Sequence, residues 1–253
     1  MAEQAVIIKD LGVTFADGNG GLEVLRHIDI SIPAQQFLCI LGPSGSGKST
    51  LLRVLAGLVR PTSGGVSFPQ AQGNNGLPDV GLVFQQANLM PWRTVLQNIS
   101  LPLELQGKPA AETSETARSL IELIGLQGFE NTWPRDLSGG MAQRVAIARA
   151  LAHDPDVLLL DEPFGSLDEM LREKMSEDML RIWQASKKTV VMVTHSVPEA
   201  VYLSDRVLVF SPRPAEVTLD LPVNLPRPRR DEMRYSPQFL ALTRELREAS
   251  RIR

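Results

Sequence analysis

The spacing of apolar residues changes several times along the chain, and each pattern predicts a different element. Between Leu11 and Phe15 every second residue is apolar, and "EVLRHIDISI" alternates in the same way, so both stretches are predicted to be half-buried antiparallel strands. The run "FLCILG" is apolar throughout, as expected of a strand that is covered on both faces. A helix is predicted after it, with leucines at helical spacing at Leu51, Leu55 and Leu58.

Helical spacing dominates from Ala87 to Ala152, and we interpret this stretch as an inserted helical lobe. Strand-like runs return in "DVLLLDE", "TVVMVTH" and "RVLVF", and the last of them ends at Phe210. The first two are separated by a predicted helix whose apolar residues are Leu171, Met175, Met179 and Ile182. Because strands alternate with helices, we expect right-handed parallel crossovers and an α/β core.

The chain after Ser211 is rich in proline, and no core element is expected there before a short helix that reaches Arg253. The stretch "LPRPRR" carries three arginines, Arg227, Arg229 and Arg230. We interpret them as a solvated basic turn, and the alternative is contact with lipid headgroups or with a regulator.

The overall composition is that of a globular protein. The 253 residues are 43% hydrophobic and 22% charged, and 26 basic against 29 acidic residues give a net charge of −3, which argues against a main role in neutralising a nucleic-acid backbone. The single cysteine, Cys39, lies in an apolar run and is expected to be a buried small hydrophobe rather than a reactive thiol. The N-terminus lacks the pattern of a signal peptide, and no stretch approaches the roughly 20 apolar residues of a membrane span, so we expect a cytoplasmic protein.

The stretch "GPSGSGKST" matches the pattern of a phosphate-binding loop. Its glycines allow consecutive backbone N–H groups to curl around a phosphate, while Lys48 reaches the outer phosphates and the Ser49 hydroxyl is placed for Mg²⁺. The alternative, a glycine-rich turn that only caps a helix, is disfavoured by the buried strand before it and the amphipathic helix after it. The residues expected to hold a nucleoside triphosphate are Gly42, Pro43, Ser44, Gly45, Ser46, Gly47, Lys48, Ser49 and Thr50.

A second apolar strand, "DVLLLDEP", ends in two acids. Neighbouring strand residues point to opposite sides, so Asp161 and Glu162 can serve different partners at the carboxyl end of the strand. Asp161 is the expected partner of Mg²⁺, through water, and Glu162 is then free to polarise an attacking water. Taken without the phosphate loop, the pair could also be two solvated loop acids.

A third stretch, "LSGGMAQRVAIARAL", places two glycines directly before a strongly amphipathic run. Each glycine costs a helix interior on the order of 1 kcal/mol against alanine. A serine and two glycines at a helix start present free N–H groups and the positive end of the helix dipole, which favours an anion.

These stretches together resemble the ATP-binding cassette (ABC) proteins, from about Ala5 to Phe210. The phosphate loop, glutamine loop, signature, acidic strand and histidine occur in the order of that family. The resemblance implies an α/β P-loop NTPase core with a mainly parallel sheet, an antiparallel β subdomain and an inserted helical signature lobe. It also implies one nucleotide-binding domain over residues 1–210, with the lobe at about 87–152, and a short C-terminal extension over 211–253.

The resemblance assigns further roles. Gln85 of "LVFQQ" matches the glutamine that approaches Mg²⁺ and the attacking water, and Gln86 fits less well because the family's glutamine directly follows the strand. His195 matches the switch histidine at the γ-phosphate, and Phe15 the aromatic residue that stacks on adenine; for Phe15 a simple core role is the alternative. The signature and the dimer-contact loop are matched by Ser138, Gly139, Gly140 and Asp168.

The motifs depart from the family at two positions. Met141 stands where many members have glutamine, and Ser166 where alanine is common. Neither change removes a glycine or a charge that the chemistry needs, so an active ATPase is expected.

The family's cassettes pair head to tail around two ATP, so a second cassette, in the simplest case an identical one, is the first expected partner. A single cassette also needs separate chains to work on, and the simplest reading is the ATPase subunit of an importer on the cytoplasmic face of the membrane. It would act with integral membrane permease subunits and, indirectly, with an extracytoplasmic solute-binding protein. Met90, Pro91 and Trp92 lie where the family receives the permease, although Trp92 could instead anchor the core of the lobe.

Three stretches indicate which group of importers the chain resembles. "MPWRTV", "SDRVLVFSPRPAEV" and "LPRPRRDEM" resemble importers of nitrate, sulfonate and taurine. The competing class is a soluble cassette protein that acts on ribosomes or nucleic acid. Such proteins commonly fuse two cassettes or carry coiled-coil or zinc insertions, whereas this chain has one cassette, one cysteine and no long heptad run, so no nucleic-acid partner is expected.

Overall fold

The computed structural model describes residues 3–16, 21–69, 79–165 and 167–251, so Ser166 and Arg253 lie outside the described residues. The chain divides into two compact units, the first within Met1–Pro78 and Lys188–Arg253 and the second Asp79–Lys187. In chain order the elements are β1 (Gln4–Phe15), β2 (Leu22–Pro33), β3 (Phe37–Leu41), α1 (Lys48–Leu55), β4 (Ser63–Ser67), β5 (Val80–Val83), α2 (Val95–Leu105), α3 (Ala110–Leu123), α4 (Gly139–Leu151), β6 (Val157–Asp161), α5 (Glu169–Ser186), β7 (Thr189–Val193), α6 (Val197–Leu203), β8 (Arg206–Phe210), β9 (Val217–Pro222) and α7 (Pro237–Arg251). Short 3₁₀ turns at Pro134–Asp136 and Asp231–Tyr235 complete the set among the described residues.

The first unit contains an antiparallel sheet in the order β2-β1-β4. Val6 pairs with Ile32 and Ile8 with Ile30, and the alternating Leu11 and Val13 of β1 are buried, whereas Phe15 at the end of the strand is exposed. The two half-buried strands predicted from alternation are therefore confirmed.

The same unit contains a second group of strands in the order β7-β3-β8-β9. β3 is parallel to both β7 and β8. All five residues of β3 are buried, because side chains cover both faces of the strand. Cys39 is fully buried there and burial raises the pKa of its thiol, so the prediction of an inert, packed cysteine is confirmed.

The expectation of no core element in the proline-rich stretch after Ser211 is wrong. β9 pairs antiparallel with β8, Val207 opposite Leu221 and Val209 opposite Leu219. The one proline in β9 does not interrupt its pairing with β8. Pro222 is the last residue of β9, and an edge strand tolerates a missing N–H.

The solvated-turn interpretation is wrong for two of the three arginines of "LPRPRR". Arg227 donates to the Leu203 carbonyl and to the Asp205 carboxylate. Arg229 is only 7% exposed. Its guanidinium donates to the carbonyls of Val201, Tyr202 and Ser204. The last carbonyls of a helix lack partners within it, so both arginines cap the end of α6, and Arg230 alone is exposed.

One predicted helix is shorter than its apolar spacing indicated. α1 ends at Leu55, and Gly57 turns the chain with a φ of +70°. Leu58 lies beyond that turn and is 63% exposed, so it does not belong to the buried face of α1.

The second unit contains the parallel pair β5 and β6 and the helices α2 to α5. Helices α2, α3 and α4 fall within residues 87–152, where helical spacing predicts them. Thr94 and Gln97 form a capping box at the start of α2, which fixes where the helix begins. Met175, Met179 and Ile182 of α5 are buried as predicted. The interpretation of this stretch as a lobe inserted into one domain over residues 1–210 stays a prediction, as does the separate extension over 211–253.

Among the described residues, no helix combines the length and the apolar character that a membrane-spanning helix needs.

Candidate active site

The phosphate loop lies in the first unit, where it joins the carboxyl end of β3 to the start of α1. Lys48 is 4% exposed, and its Nζ donates to the Gly42 and Pro43 carbonyls at 2.9 and 3.0 Å. The backbone therefore curls around the lysine amine. α1 has no acidic residue in its first turn, so the positive end of its dipole is not compensated there.

Two glycines of the loop are required by close neighbours. Gly47 has a φ of +107°, and a β-carbon there would lie 2.9 Å from side-chain atoms of both Val24 and Leu25. A β-carbon on Gly42 would lie 3.0 Å from the Ser46 Oγ. That hydroxyl is buried and has no hydrogen-bond partner among the described residues. A tightly curled backbone with a buried hydroxyl at Ser46 that lacks a partner among the described residues fits an anion such as a phosphate.

His195 follows β7, the strand beside β3. Ile40 of β3 lies opposite Val193 of β7, and the Thr194 N–H donates to the Ile40 carbonyl at 3.1 Å. His195 is exposed. The structure therefore brings His195 and the phosphate loop to the carboxyl ends of neighbouring parallel strands, where ligands bind in such sheets.

Phe15 is the last residue of β1 and pairs with Leu22, two residues before the Val24 that packs on Gly47. It is 41% exposed, so the core role considered as an alternative is wrong. An exposed aromatic ring near the phosphate loop suits stacking on a base.

Gln85 and Glu162 lie together in the second unit. Val83 of β5 is opposite Leu160 of β6, so both residues follow the carboxyl ends of paired strands. A β-carbon on Gly165 would lie 3.2 Å from the Gln85 Nε2 and 3.4 Å from the Glu162 Oε2. The amide and the carboxylate thus both lie next to Gly165, which favours Gln85 over Gln86 for the predicted role.

The backbone at Glu162 is unusual. Its φ is +45°, in the left-handed region that a residue with a side chain rarely adopts. Asp161, the last residue of β6, is half-buried beside it. A left-handed residue directly after a buried strand turns the chain sharply, and such strained positions cluster at functional sites.

The signature starts α4, with Ser138 as its N-cap. The Ser138 hydroxyl accepts from the Met141 N–H at 3.3 Å. A β-carbon on Gly140 would lie 3.1 Å from the Leu171 Cδ1, so packing against α5 restricts this position. The nearest neighbour of a β-carbon on Gly139 is the Leu167 side chain, at an ordinary 3.4 Å. Nothing described within the chain therefore requires glycine at 139.

Asp168 is the exposed N-cap of α5, and its carboxylate accepts from the Leu171 N–H at 2.9 Å. The family resemblance predicts a dimer contact for this residue, whereas the structure gives it a local role as well. The signal for the cap was present in the sequence, as an aspartate directly before a predicted helix.

Sequence reasoning missed two side chains of α4 that hold the segment around Gln85. Gln143 donates to the Phe84 carbonyl at 3.3 Å. Arg149 donates to the Ala87 and Asn88 carbonyls, each at 2.9 Å, and burial lowers its pKa. Because all three acceptors are backbone carbonyls, no residue type in the sequence indicated these contacts.

The segment after Gln85 exposes its tryptophan. Trp92 is 69% exposed, so the alternative that it anchors the core of the lobe is wrong. An open cavity of about 440 Å³ beside it is lined by Trp92, Arg93, Gln97 and Glu104. An exposed aromatic side chain with a charged rim is typical of a protein-contact surface.

Comparison of the chain with known proteins shows its family. The sequence model of the ABC transporter family covers residues 25–165, more than half of the 253 residues. The chain belongs to the ABC transporter family. It is an ABC-type ATPase that binds ATP, as the resemblance implied.

Relatives and a solved structure agree with this assignment. A nitrate import ATP-binding protein from Synechocystis sp. is 43% identical over 245 residues, which is 94% of this chain and 92% of that protein. An aliphatic sulfonates import ATP-binding protein from Pseudomonas fluorescens is 45% identical over 239 residues, 94% of this chain and 84% of that protein. A dimeric ATP-binding cassette in a post-hydrolysis state, bound to ADP and Pi, has a TM-score of 0.74 and 33% identity, with 87% of this chain and 99% of that chain covered. The predicted family, fold class and ATPase activity are confirmed.

Proposed function

We propose that the chain is the energy-coupling ATPase subunit of an ABC importer, acting on permease subunits at the cytoplasmic face of the membrane. The observation that carries the importer assignment is the exposed Trp92 beside an open cavity, a few residues after Gln85. Relatives named for nitrate and sulfonate import, alignable over 94% of the chain, support the same branch. The solute is then nitrate, a sulfonate, taurine or a related small solute, delivered by a solute-binding protein.

The nucleotide site is proposed to form from two copies of the chain. The phosphate loop of one copy holds the triphosphate through backbone N–H groups and Lys48. The start of α4 in the other copy, from Ser138 to Gly140, faces the γ-phosphate. The bare position at Gly139 supports this arrangement, because an anion can approach the backbone there and no packing among the described residues accounts for the glycine.

Mg²⁺ is proposed to enter with ATP. Ser49, Asp161 and Gln85 offer a hydroxyl, a carboxylate and an amide oxygen, which are hard donors of the kind that Mg²⁺ prefers. The ion would neutralise charge on the phosphates.

Hydrolysis then uses three side chains in different roles. Glu162 accepts the proton of the attacking water, and Gln85, whose amide lies next to Gly165 as that carboxylate does, holds the water in line with the γ-phosphorus. His195 donates to the transferred phosphoryl group. Phe15 stacks on the base, and Asp168 contacts the other copy.

The link to the permease is proposed to run through α4. Gln143 and Arg149 fix the segment from Phe84 to Asn88, and this segment leads directly to the Trp92 surface. A movement of the permease at Trp92 would therefore reach both Gln85 and the signature helix.

Affinity purification from membranes tests this proposal. The tagged chain should recover integral membrane proteins, and Trp92→Ala should reduce that recovery at least tenfold. Trp133→Ala is the matched control, since Trp133 is 40% exposed and lies outside the cavity. Recovery of ribosomes or nucleic-acid-binding proteins in place of membrane proteins would overturn the importer assignment in favour of a soluble cassette protein.

A further inference from the structure

The segment between β8 and β9, residues 211–216, is a closed turn fixed by its own hydrogen bonds. The Ser211 N–H donates to the Glu216 carbonyl and the Glu216 N–H donates to the Ser211 Oγ, both at 3.0 Å. The Ser211 hydroxyl also donates to the Pro214 carbonyl at 3.2 Å. This turn carries the "SPRPAEV" stretch, to which the proposed function assigns no role.

The turn is seated on β2, the strand that also packs against the phosphate loop. Ala215 is fully buried, its N–H donates to the Val24 carbonyl at 2.9 Å, and its carbonyl accepts from the Arg26 N–H at 3.0 Å. Val24 is the residue that lies against Gly47. The turn is therefore held in a fixed position next to the loop.

Arg213 extends from this turn onto the phosphate loop. Its Nε and Nη2 both donate to the Gly45 carbonyl, at 3.1 and 3.0 Å. Gly45 has a φ of +76°, so its backbone has a conformation that other residues rarely adopt. Two donors of one guanidinium thus hold a single carbonyl at a left-handed position of the loop.

This contact sets the direction of the next N–H. The carbonyl and the N–H of a trans peptide unit point in opposite directions, so anchoring the Gly45 carbonyl on Arg213 directs the Ser46 N–H to the other side. In the structure that N–H donates into the loop, to the Pro43 carbonyl at 3.2 Å. A cation on the Gly45 carbonyl also polarises the peptide, which strengthens the hydrogen bond from its N–H to the Pro43 carbonyl and so stabilises the curled loop.

We propose that Arg213 is a positioning residue for the phosphate loop, which holds the loop at the Gly45–Ser46 peptide in the curled conformation that receives the triphosphate. It acts through the backbone and does not itself touch the nucleotide. The inference rests on the proposed function, because it requires that Gly42 to Thr50 bind ATP.

Arg213→Ala tests the proposal, with Arg213→Lys as the conservative variant and Arg230→Ala as the matched control. Arg230 is an exposed arginine of the same C-terminal stretch. Titration with a fluorescent ATP analogue, steady-state ATPase assays and the Tm without nucleotide are measured for each. Arg213→Ala should raise Kd and KM for ATP by about three- to tenfold, as expected for loss of an exposed charge-assisted hydrogen bond. Its kcat at saturating ATP and its Tm should stay close to wild type, and Arg213→Lys should recover part of the affinity.

Three results would overturn the proposal. These are an unchanged Kd in Arg213→Ala, a Kd raised equally by Arg230→Ala, or a fall in Tm and kcat at unchanged Kd, which would indicate a purely structural contact. Failure of the proposed function has a different signature, since the wild-type chain would then not bind the analogue at all.

Discussion

Leu171 of α5 lies against Gly140 of α4 so closely that a β-carbon on the glycine would be 3.1 Å from the Leu171 Cδ1. Gly139, one residue earlier, meets only an ordinary contact with the Leu167 side chain. Packing within the chain thus restricts Gly140, whereas at Gly139 the described residues leave room for a methyl group, as the proposed approach of a γ-phosphate from a second copy requires.

Alanine substitution at each of the two glycines tests their roles separately. Gly140→Ala should lower the free energy of unfolding by about 1 kcal/mol because it overpacks the contact with Leu171. Gly139→Ala should keep or slightly raise the Tm, because alanine favours a helix over glycine, and yet lower kcat at least tenfold, because its methyl group blocks the approach of the γ-phosphate. Thermal unfolding and ATPase assays check both, and wild-type turnover in Gly139→Ala would contradict the proposed role of the α4 start.

Ser138 combines a helix cap with a place at the proposed dimer interface. Ser138→Ala removes the hydrogen bond to the Met141 N–H and should cost about 1 kcal/mol of stability, with partial activity retained. Ser138→Tyr should abolish turnover while ATP still binds to the monomer, since the phosphate loop of the same chain is untouched. Nucleotide titration of both variants beside ATPase assays distinguishes them, and loss of ATP binding in Ser138→Tyr would show that the assignment is wrong.

Glu162 is proposed to accept the proton of the attacking water. Glu162→Gln keeps the shape of the side chain and removes its basicity, so kcat should fall by about 10²- to 10⁴-fold while ATP binding persists. The variant should also form a dimer that is stable in ATP, detectable by gel filtration. Glu248→Gln, on the exposed face of α7, is the control and should hydrolyse normally. Normal turnover in Glu162→Gln would remove this residue from the role of the base.

Arg229 caps the end of α6 with three hydrogen bonds to backbone carbonyls. Burial lowers its pKa to about 10, so it remains charged at neutral pH. Arg229→Met should destabilise the chain by about 2 kcal/mol, because buried carbonyls lose their donors. Arg230→Met removes an exposed arginine of the same stretch and should change stability by less than about 0.5 kcal/mol. Urea denaturation compares the two, and equal stability would show that the cap contributes nothing.

The sequence predicted those features whose signals are contiguous. The phosphate loop directly follows a buried strand. Its glycines, Lys48 and Ser49 all lie within the short segment between β3 and the first turn of α1. The acids of β6 and the histidine after β7 were found in the same way, because each directly follows an apolar run.

The features that were missed depend on partners far away in the chain. β9 exists because it pairs with β8, and its short alternation between prolines carried too weak a signal alone. Arg229 and Arg149 bind backbone carbonyls, which every residue offers, so composition could not distinguish a buried cap from a solvated charge. Leu58 has the right spacing for α1, but Gly57 ends the pattern before it.

The hydrogen bonds of Gln143 and Arg149 to the main chain bear on which substitutions this protein can tolerate. Both side chains donate to backbone carbonyls within residues 84–88, so these hydrogen bonds do not depend on which side chains those residues carry. Substitutions at Ala87 can therefore change the neighbouring surface while the hydrogen bonds to α4 persist, whereas Asn88, with a φ of +45°, is restricted to residues that adopt the left-handed region. The hydrogen bonds that attach this segment to α4 are thus independent of the side chains that would form the proposed docking surface.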